Sequence, residues 1–300
     1  MLAMKIFKGL GVAMITPFKS DRSVDFKALE NITNHIIDGG CDYLVVMGTT
    51  SEAVTLNHEE KEAVTSYIKE INNGRIPVVL GIGGNNTQNV TDTIKRTDFE
   101  GIDGILSVAP YYNKPGQKGI LIHFKEISTA SPVPIILYNV PGRTSSNIAA
   151  ETCLELAWSF DNIVGIKEAS GNLSQVMKII NEKPEDFLLI SGDDLLTLPL
   201  IALGGSGVIS VLGNAFPAEW KEMVSLALKS KLNSACEIHY KYIELIDLLF
   251  TDGNPAGIKS VMNILGLCQN YLRLPLTAVS RQTGTKINTT LEDLKLKEPV

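Results

Sequence analysis

Short, nearly continuous apolar runs alternate along the chain with longer segments whose apolar residues recur about every 3.6 positions. The runs occupy residues 11–18, 43–48, 77–83, 104–110, 134–141, 163–170, 187–194 and 207–214, eight in all. They are rich in Val, Ile and Leu on both alternating faces, as parallel strands covered on both sides require. The intervening segments carry helix ends. Phe26, Leu29, Ile32 and Ile36 mark one face of a helix opened by Asp25 and stopped at Gly39-Gly40. Asn57 with Glu60 three residues on has the form of a capping box, and the helix it opens runs to Asn73-Gly74. Eight strand-helix units predict a closed (β/α)8 barrel (TIM barrel) of the α/β class, since open doubly wound sheets usually offer about five or six strands. Helical patterns at residues 234–250 and 257–266 exceed the eighth barrel helix. The expected organisation is a barrel over residues 1–230 and a C-terminal helical region over 231–300.

Composition narrows the class. The 300 residues include 27 Lys+Arg and 33 Asp+Glu, a net charge of −6, which disfavours a basic nucleic-acid surface. With 44% hydrophobic and 20% charged residues the chain has material for a large core and is not of disordered type. Cys41, Cys153, Cys236 and Cys268 form no C-x-x-C pair, which leaves a zinc or redox site without support and predicts four buried free thiols. The longest uncharged run, 195–218, is long enough to span a bilayer but contains Pro199, Gly204, Gly205, Gly207, Gly213 and Pro217, which excludes a lipid-exposed helix. Lys5 and Lys8 interrupt the amino-terminal apolar stretch, and no cleavage site follows it. A cytoplasmic protein with no membrane partner is expected.

In such barrels chemistry sits where strands end and the following loops begin. Run six reads Ile163-Val164-Gly165-Ile166-Lys167-Glu168-Ala169-Ser170. Alternation sets Lys167 on the face of Gly165, pointing into the barrel mouth. Burial disfavours the charged form of an amine, and a neutral amine attacks a carbonyl to form a Schiff base. The alternative is a lysine paired with an acid at the strand end. Tyr138, in run five, is a candidate proton shuttle or a core aromatic, and Arg143 just beyond the run is a carboxylate clamp or a surface residue. Thr49 and Thr50, in Gly48-Thr49-Thr50-Ser51-Glu52, offer hydroxyls and backbone N–H groups to a small carboxylate, or form a plain capping turn. Tyr111 and Tyr112 follow run four as an aromatic pair on a loop, for which rim packing or subunit contact is also a reasonable reading. The glycines around Ser206 precede run eight and so lie on the stability face. Asp193-Asp194 lacks a third acid or histidine for a metal and is expected to cap the following helix.

The run Gly48-Thr49-Thr50-Ser51-Glu52, the pair Tyr111-Tyr112, the segment Tyr138-Asn139-Val140-Pro141-Gly142-Arg143-Thr144, the strand Gly165-Ile166-Lys167-Glu168-Ala169-Ser170-Gly171 and Ser191-Gly192-Asp193-Asp194 together resemble the dihydrodipicolinate synthase family, over nearly the whole chain and in order. The resemblance implies a lyase, a pyruvate-dependent class I aldolase condensing pyruvate with aspartate 4-semialdehyde in lysine and diaminopimelate biosynthesis. It implies that Lys167 forms the imine, that Tyr138, Thr49 and Tyr112 relay protons, that Thr50 holds the pyruvate carboxylate and Arg143 that of the semialdehyde. Gly192 and Ile209 match positions lining the site. No metal or organic cofactor is implied. Tyr112 would reach a neighbouring subunit's site, so a homo-oligomer, a tetramer of tight dimers, is expected.

Two departures carry expectations of their own. The family commonly has Gly at Ser51, so a left-handed backbone there would strain this chain. The aligned lysine-feedback positions are Ala53, His58, Lys61, Asn85, Asn89 and Tyr111, whereas lysine-responsive members carry Ser, His and Glu at positions 53, 61 and 89. The nearest rivals are an N-acetylneuraminate lyase or keto-deoxy-sugar-acid aldolase on the same barrel, against which Arg143 speaks, and a non-catalytic binding barrel, against which the intact Lys167, Tyr138, Thr49 and Tyr112 speak.

Overall fold

A computed structural model describes residues 5–296. Residues 1–4 and 297–300, the outer ends of the two expected regions and the start of the amino-terminal apolar stretch, lie outside the described residues. The strands are β1 (Gly9–Ala13), β2 (Tyr43–Val46), β3 (Val78–Gly81), β4 (Gly104–Val108), β5 (Ile135–Asn139), β6 (Ile163–Glu168), β7 (Leu188–Ser191) and β8 (Gly207–Ser210). All pair in parallel in sequence order, and β8 closes onto β1 to complete the barrel. The strands stop short of the apolar runs that contain them. β1 ends at Ala13 because Ile15 gives its N–H to the Asn214 side chain and Pro17 has none to give; Phe18 instead bridges Val24 in a small antiparallel turn.

Around the barrel lie α1 (Phe26–Asp38), α2 (His58–Asn72), α3 (Thr87–Arg96), α4 (Gln117–Ala130), the single turn α5 (Pro141–Thr144), α6 (Ala150–Ser159), α7 (Leu173–Glu182), α8 (Thr197–Ala202) and α9 (Pro217–Leu228). Their ends follow the sequence signals. Asp25 accepts the Ala28 N–H at 3.1 Å, Asn57 and Glu60 form the reciprocal capping box, and Asn73 closes α2 in the left-handed conformation. Then come α10 (Leu232–Thr251), α11 (Ala256–Ile264) and α12 (Arg281–Leu296). Trp220 of α9 is fully buried, stacked on His239 of α10 at 5.8 Å.

Alternation divides each strand between two apolar shells. Leu44, Val46, Ile105, Leu137 and Leu189 face the helices, while Tyr43, Val45, Leu106, Ile136 and Ile190 fill the barrel, closed at its base by Phe7 edge-on to Tyr43 at 5.7 Å. The glycines before β8 lie at this base, where Gly9 donates to the Ser206 carbonyl. One irregularity controls the mouth. The pairing runs from Ile135 opposite Ile163 directly to Ile136 opposite Gly165, so β6 bulges by one residue at Val164.

The loop after β8 is bolted to β1 by Asn214. Its Oδ1 accepts the Ile15 N–H at 3.1 Å and its Nδ2 donates to the carbonyls of Ala13 at 2.8 Å and Val211 at 3.0 Å, all without access to water. Three thiols, Cys41, Cys153 and Cys268, are buried and free as expected; Cys236 is free but only half-buried, because it lies on the outer flank of α10. No helix among the described residues is long and apolar enough to cross a membrane. Asn214→Ala removes three buried hydrogen bonds and should lower unfolding free energy by about 2–4 kcal/mol. A denaturant midpoint equal to that of the parent chain would contradict the bolt.

Candidate active site

Lys167 ends the inner face of β6, 6% exposed, directly opposite Tyr138 of β5. Its Nζ lies 4.4 Å from the centre of the Tyr138 ring. The bulge places it there: Val164 already faces inward, and strict alternation from that residue would turn Ile166 inward and Lys167 out among the helices. Gly192, after β7, leaves the room the side chain needs. A Cβ at that position would stand 3.1 Å from both Cγ and Cε of Lys167 and 2.7 Å from the Ala169 Cβ. Ile209 of β8 belongs to the same inner shell as Tyr138.

Glu168, next in sequence, points the other way. Its carboxylate accepts from Asn139 Nδ2 at 3.0 Å, Gln175 Nε2 at 2.9 Å and the Ser170 N–H at 2.6 Å. Asn147 joins the cluster, receiving from Asn139 and donating to Gln175. The acid beside Lys167 is thus satisfied by amides on the helix side of the sheet, and among the described residues Lys167 has no carboxylate within ion-pair distance. A strand-end ion pair is not what holds this lysine.

The turn after β2 is tightly tied. Ser51 Oγ donates to the Gly48 carbonyl at 2.7 Å, and the Glu52 N–H to that of Thr49 at 3.1 Å. Left-handed backbone falls on Met47 (φ 56°) and Glu52 (φ 55°), not on Ser51, so serine in place of the family's usual glycine brings no strain of that kind. At Glu52 the conformation costs of order 1–3 kcal/mol and persists only where the surroundings enforce it. They do so here: Glu52 is 1% exposed and its carboxylate meets the Lys259 ammonium and, at 3.0 Å, the Arg273 N–H.

Thr50 is buried and Thr49 exposed. Arg143, exposed in α5, donates from Nη2 to the Asn254 carbonyl at 3.3 Å, while Asn254 Nδ2 donates to Thr50 Oγ1 at 3.0 Å. Asn254 therefore joins the two candidate carboxylate holders. Tyr112, 88% exposed with φ 73°, touches none of this cluster within one chain. Asp193 and Asp194 divide their work rather than cap α8 together. Asp193 accepts the Leu195 N–H, while Asp194 accepts those of Val211 and Leu212 beyond β8, and burial raises both carboxyls above their ordinary range. No group of three metal-ligating side chains exists among the described residues.

The sequence profile of the dihydrodipicolinate synthetase family matches residues 6–294. The chain belongs to that family. A 4-hydroxy-tetrahydrodipicolinate synthase from Flavobacterium psychrophilum is 54% identical over 285 residues, covering 95% of this chain and 97% of that protein. Among solved structures, dihydrodipicolinate synthase from Aquifex aeolicus superposes with a TM-score of 0.93 at 41% identity, covering 97% of this chain and 99% of that one. The chloride-inhibited enzyme from Acinetobacter baumannii, complexed with pyruvate, does so with 0.93 at 36% identity, covering 96% and 99%.

Within this dihydrodipicolinate synthetase family member, the positions expected of a lysine-feedback site lie on segments after β2, β3 and β4. Ala53 opens a 3-10 turn, His58 starts α2 and meets Glu62 at 3.3 Å, and Lys61 follows on α2. Asn85 donates to the Tyr111 carbonyl at 3.3 Å, and Asn89 lies in the first turn of α3. Asn254 is the mouth residue that sequence reasoning passed over. Its only sequence signal is the Gly253-Asn254-Pro255 breaker between two helical patterns. Gly192→Ala should push Lys167 from its place and cut its trapping by pyruvate plus borohydride by about tenfold or more, since misplacement of the order of 1 Å can cost a hundredfold. Unchanged trapping would show that Gly192 gives no needed clearance.

Proposed function

We propose that this chain is a lyase that condenses pyruvate with aspartate 4-semialdehyde to 4-hydroxy-tetrahydrodipicolinate through an imine on Lys167, in lysine and diaminopimelate biosynthesis in the cytoplasm. The observation that carries the reading is a buried lysine at the barrel mouth with a phenol against it and, among the described residues, no carboxylate paired to it. The family membership and the named relatives support the same reaction.

The Lys167 amine adds to the keto carbon of pyruvate, and water leaves as the imine forms. The protonated imine draws electrons from the adjoining methyl group, which loses a proton to become an enamine carbon. Tyr138, with Thr49 and the Tyr112 of a neighbouring subunit, passes these protons. The enamine carbon then bonds to the aldehyde carbon of the second substrate, whose oxygen takes up a proton. Finally the substrate's own amine adds to the imine carbon, closes the ring and expels Lys167 as the free amine. Lysine itself is the electron-sink carrier, so no metal or organic cofactor is required.

Thr50 and nearby backbone N–H groups hold the pyruvate carboxylate and Arg143 that of the semialdehyde, with Gly192 and Ile209 shaping the wall near Lys167. An exposed Tyr112 fits a tight dimer in which each subunit completes the other's site, paired again into a tetramer. Borohydride treatment with pyruvate, followed by peptide mass mapping, should give an adduct on Lys167; no adduct, or one on another lysine, sinks the reading. With aspartate semialdehyde and N-acetylmannosamine offered as acceptors, turnover should follow the former.

At the feedback positions, Lys61 puts a cation and Asn89 an uncharged amide where lysine-responsive members carry His and Glu. A cationic amino acid meets repulsion from the first and loses attraction at the second. Inhibition by lysine should be poor, and half-maximal inhibition at submillimolar lysine would refute this.

A further inference from the structure

The turn that carries Thr49 and Thr50 is held from the far end of the chain. Glu52 stands two residues beyond Thr50 and is sealed from water together with Lys259 of α11, which is 0% exposed. The Lys259 ammonium bonds the Glu52 carboxylate, donates to the Tyr271 carbonyl at 3.0 Å and lies 4.1 Å over the Phe18 ring. Arg273 adds its backbone N–H to the same carboxylate, while its guanidinium clamps Glu60 of the α2 capping box at 2.5 Å and 2.6 Å and takes the Thr55 carbonyl at 3.0 Å. The Glu52 carbonyl in turn accepts the N–H and hydroxyl of Thr55.

A buried ion pair is a poor source of stability, since apolar residues of like volume often do as well. It is a good source of geometry. Glu52 is left-handed without being glycine, a conformation that needs enforcement, and the enforcing contacts come from α11 and the segment after it. The same α11 is preceded by Asn254, whose amide reaches Thr50. Both side chains converge on one turn.

We propose that Lys259 is a positioning residue for keto-acid binding: through the Glu52 carboxylate it fixes the turn whose Thr50 receives the pyruvate carboxylate. The inference rests on the function proposed above. A carboxylate grip is made equally in the ground and transition states, so its disturbance raises KM for pyruvate and leaves kcat nearly unchanged. A merely structural pair would lower thermal stability and leave that split untouched.

The test compares the parent chain with the neutral double variant Glu52→Gln/Lys259→Met, which replaces both charges at once and avoids stranding either, and with Glu52→Asp, which keeps the charge but withdraws it by one methylene. Pyruvate dependence is read twice, from turnover and from borohydride trapping on Lys167, beside the thermal midpoint. The half-saturating pyruvate concentration should rise about tenfold or more in both assays with kcat within about threefold, as loss of uniform binding requires. A folded variant that saturates at the parent's pyruvate concentration overturns the proposal, and so does a fall in kcat alone. Should the double variant not fold, Glu52→Asp carries the same expectation and the same refutation. Failure of the parent chain itself to trap pyruvate on Lys167 overturns the underlying reading; trapping in the parent with unshifted variants overturns only the positioning role.

Discussion

Lys167 lies inside the barrel because β6 carries one residue more than its pairing with β5 uses, and the site is arranged around that displacement. A lysine head group has a strong preference for water, so its burial needs both room and a tolerant neighbour. Gly192 leaves the room. The face of the Tyr138 ring, 4.4 Å from Nζ, takes the position a counter-ion would otherwise hold. An amine kept free of carboxylates is available for covalent bonding; one locked in an ion pair would not be.

The sheet separates two kinds of buried polarity at this strand end. Inside is the Lys167 amine against the Tyr138 ring. Outside, Glu168 is enclosed by Asn139, Asn147, Gln175 and a backbone N–H, a network in which donors outnumber the charge they satisfy. Fully satisfied networks of this sort are rigid. A lysine and a glutamate adjacent on one strand thereby face opposite sides of the sheet without meeting, which the alternation of a strand permits and a helix turn would not.

The rest of the mouth is assembled from segments remote in sequence. Thr50 and Asn254 are 204 residues apart, and Glu52 and Lys259 are 207 apart, yet each pair is in hydrogen-bond contact. Such closure costs entropy only logarithmically with separation, so a distant helix can brace a loop nearly as cheaply as a close one. The C-terminal helices thus contribute to the mouth itself as well as to the packing outside α9.

The sequence by itself determined the eight parallel strands, the caps at Asp25 and Asn57 and the strand ends at which Lys167, Tyr138, Thr50 and Gly192 stand, because hydrophobic periodicity and capping chemistry are local properties that reach only a few residues. The family resemblance in its motifs likewise lay in short contiguous runs. Only the tertiary structure decided that Glu168 is satisfied by Asn139 and Gln175, since those partners come from other segments. It also decided that Ser51 is relaxed while Glu52 carries the left-handed backbone, and that Asn254, Lys259 and Arg273 converge on the β2 turn. Those are contacts between segments some 200 residues apart, and hydrophobic pattern records which face a residue buries but not which distant group it will meet there.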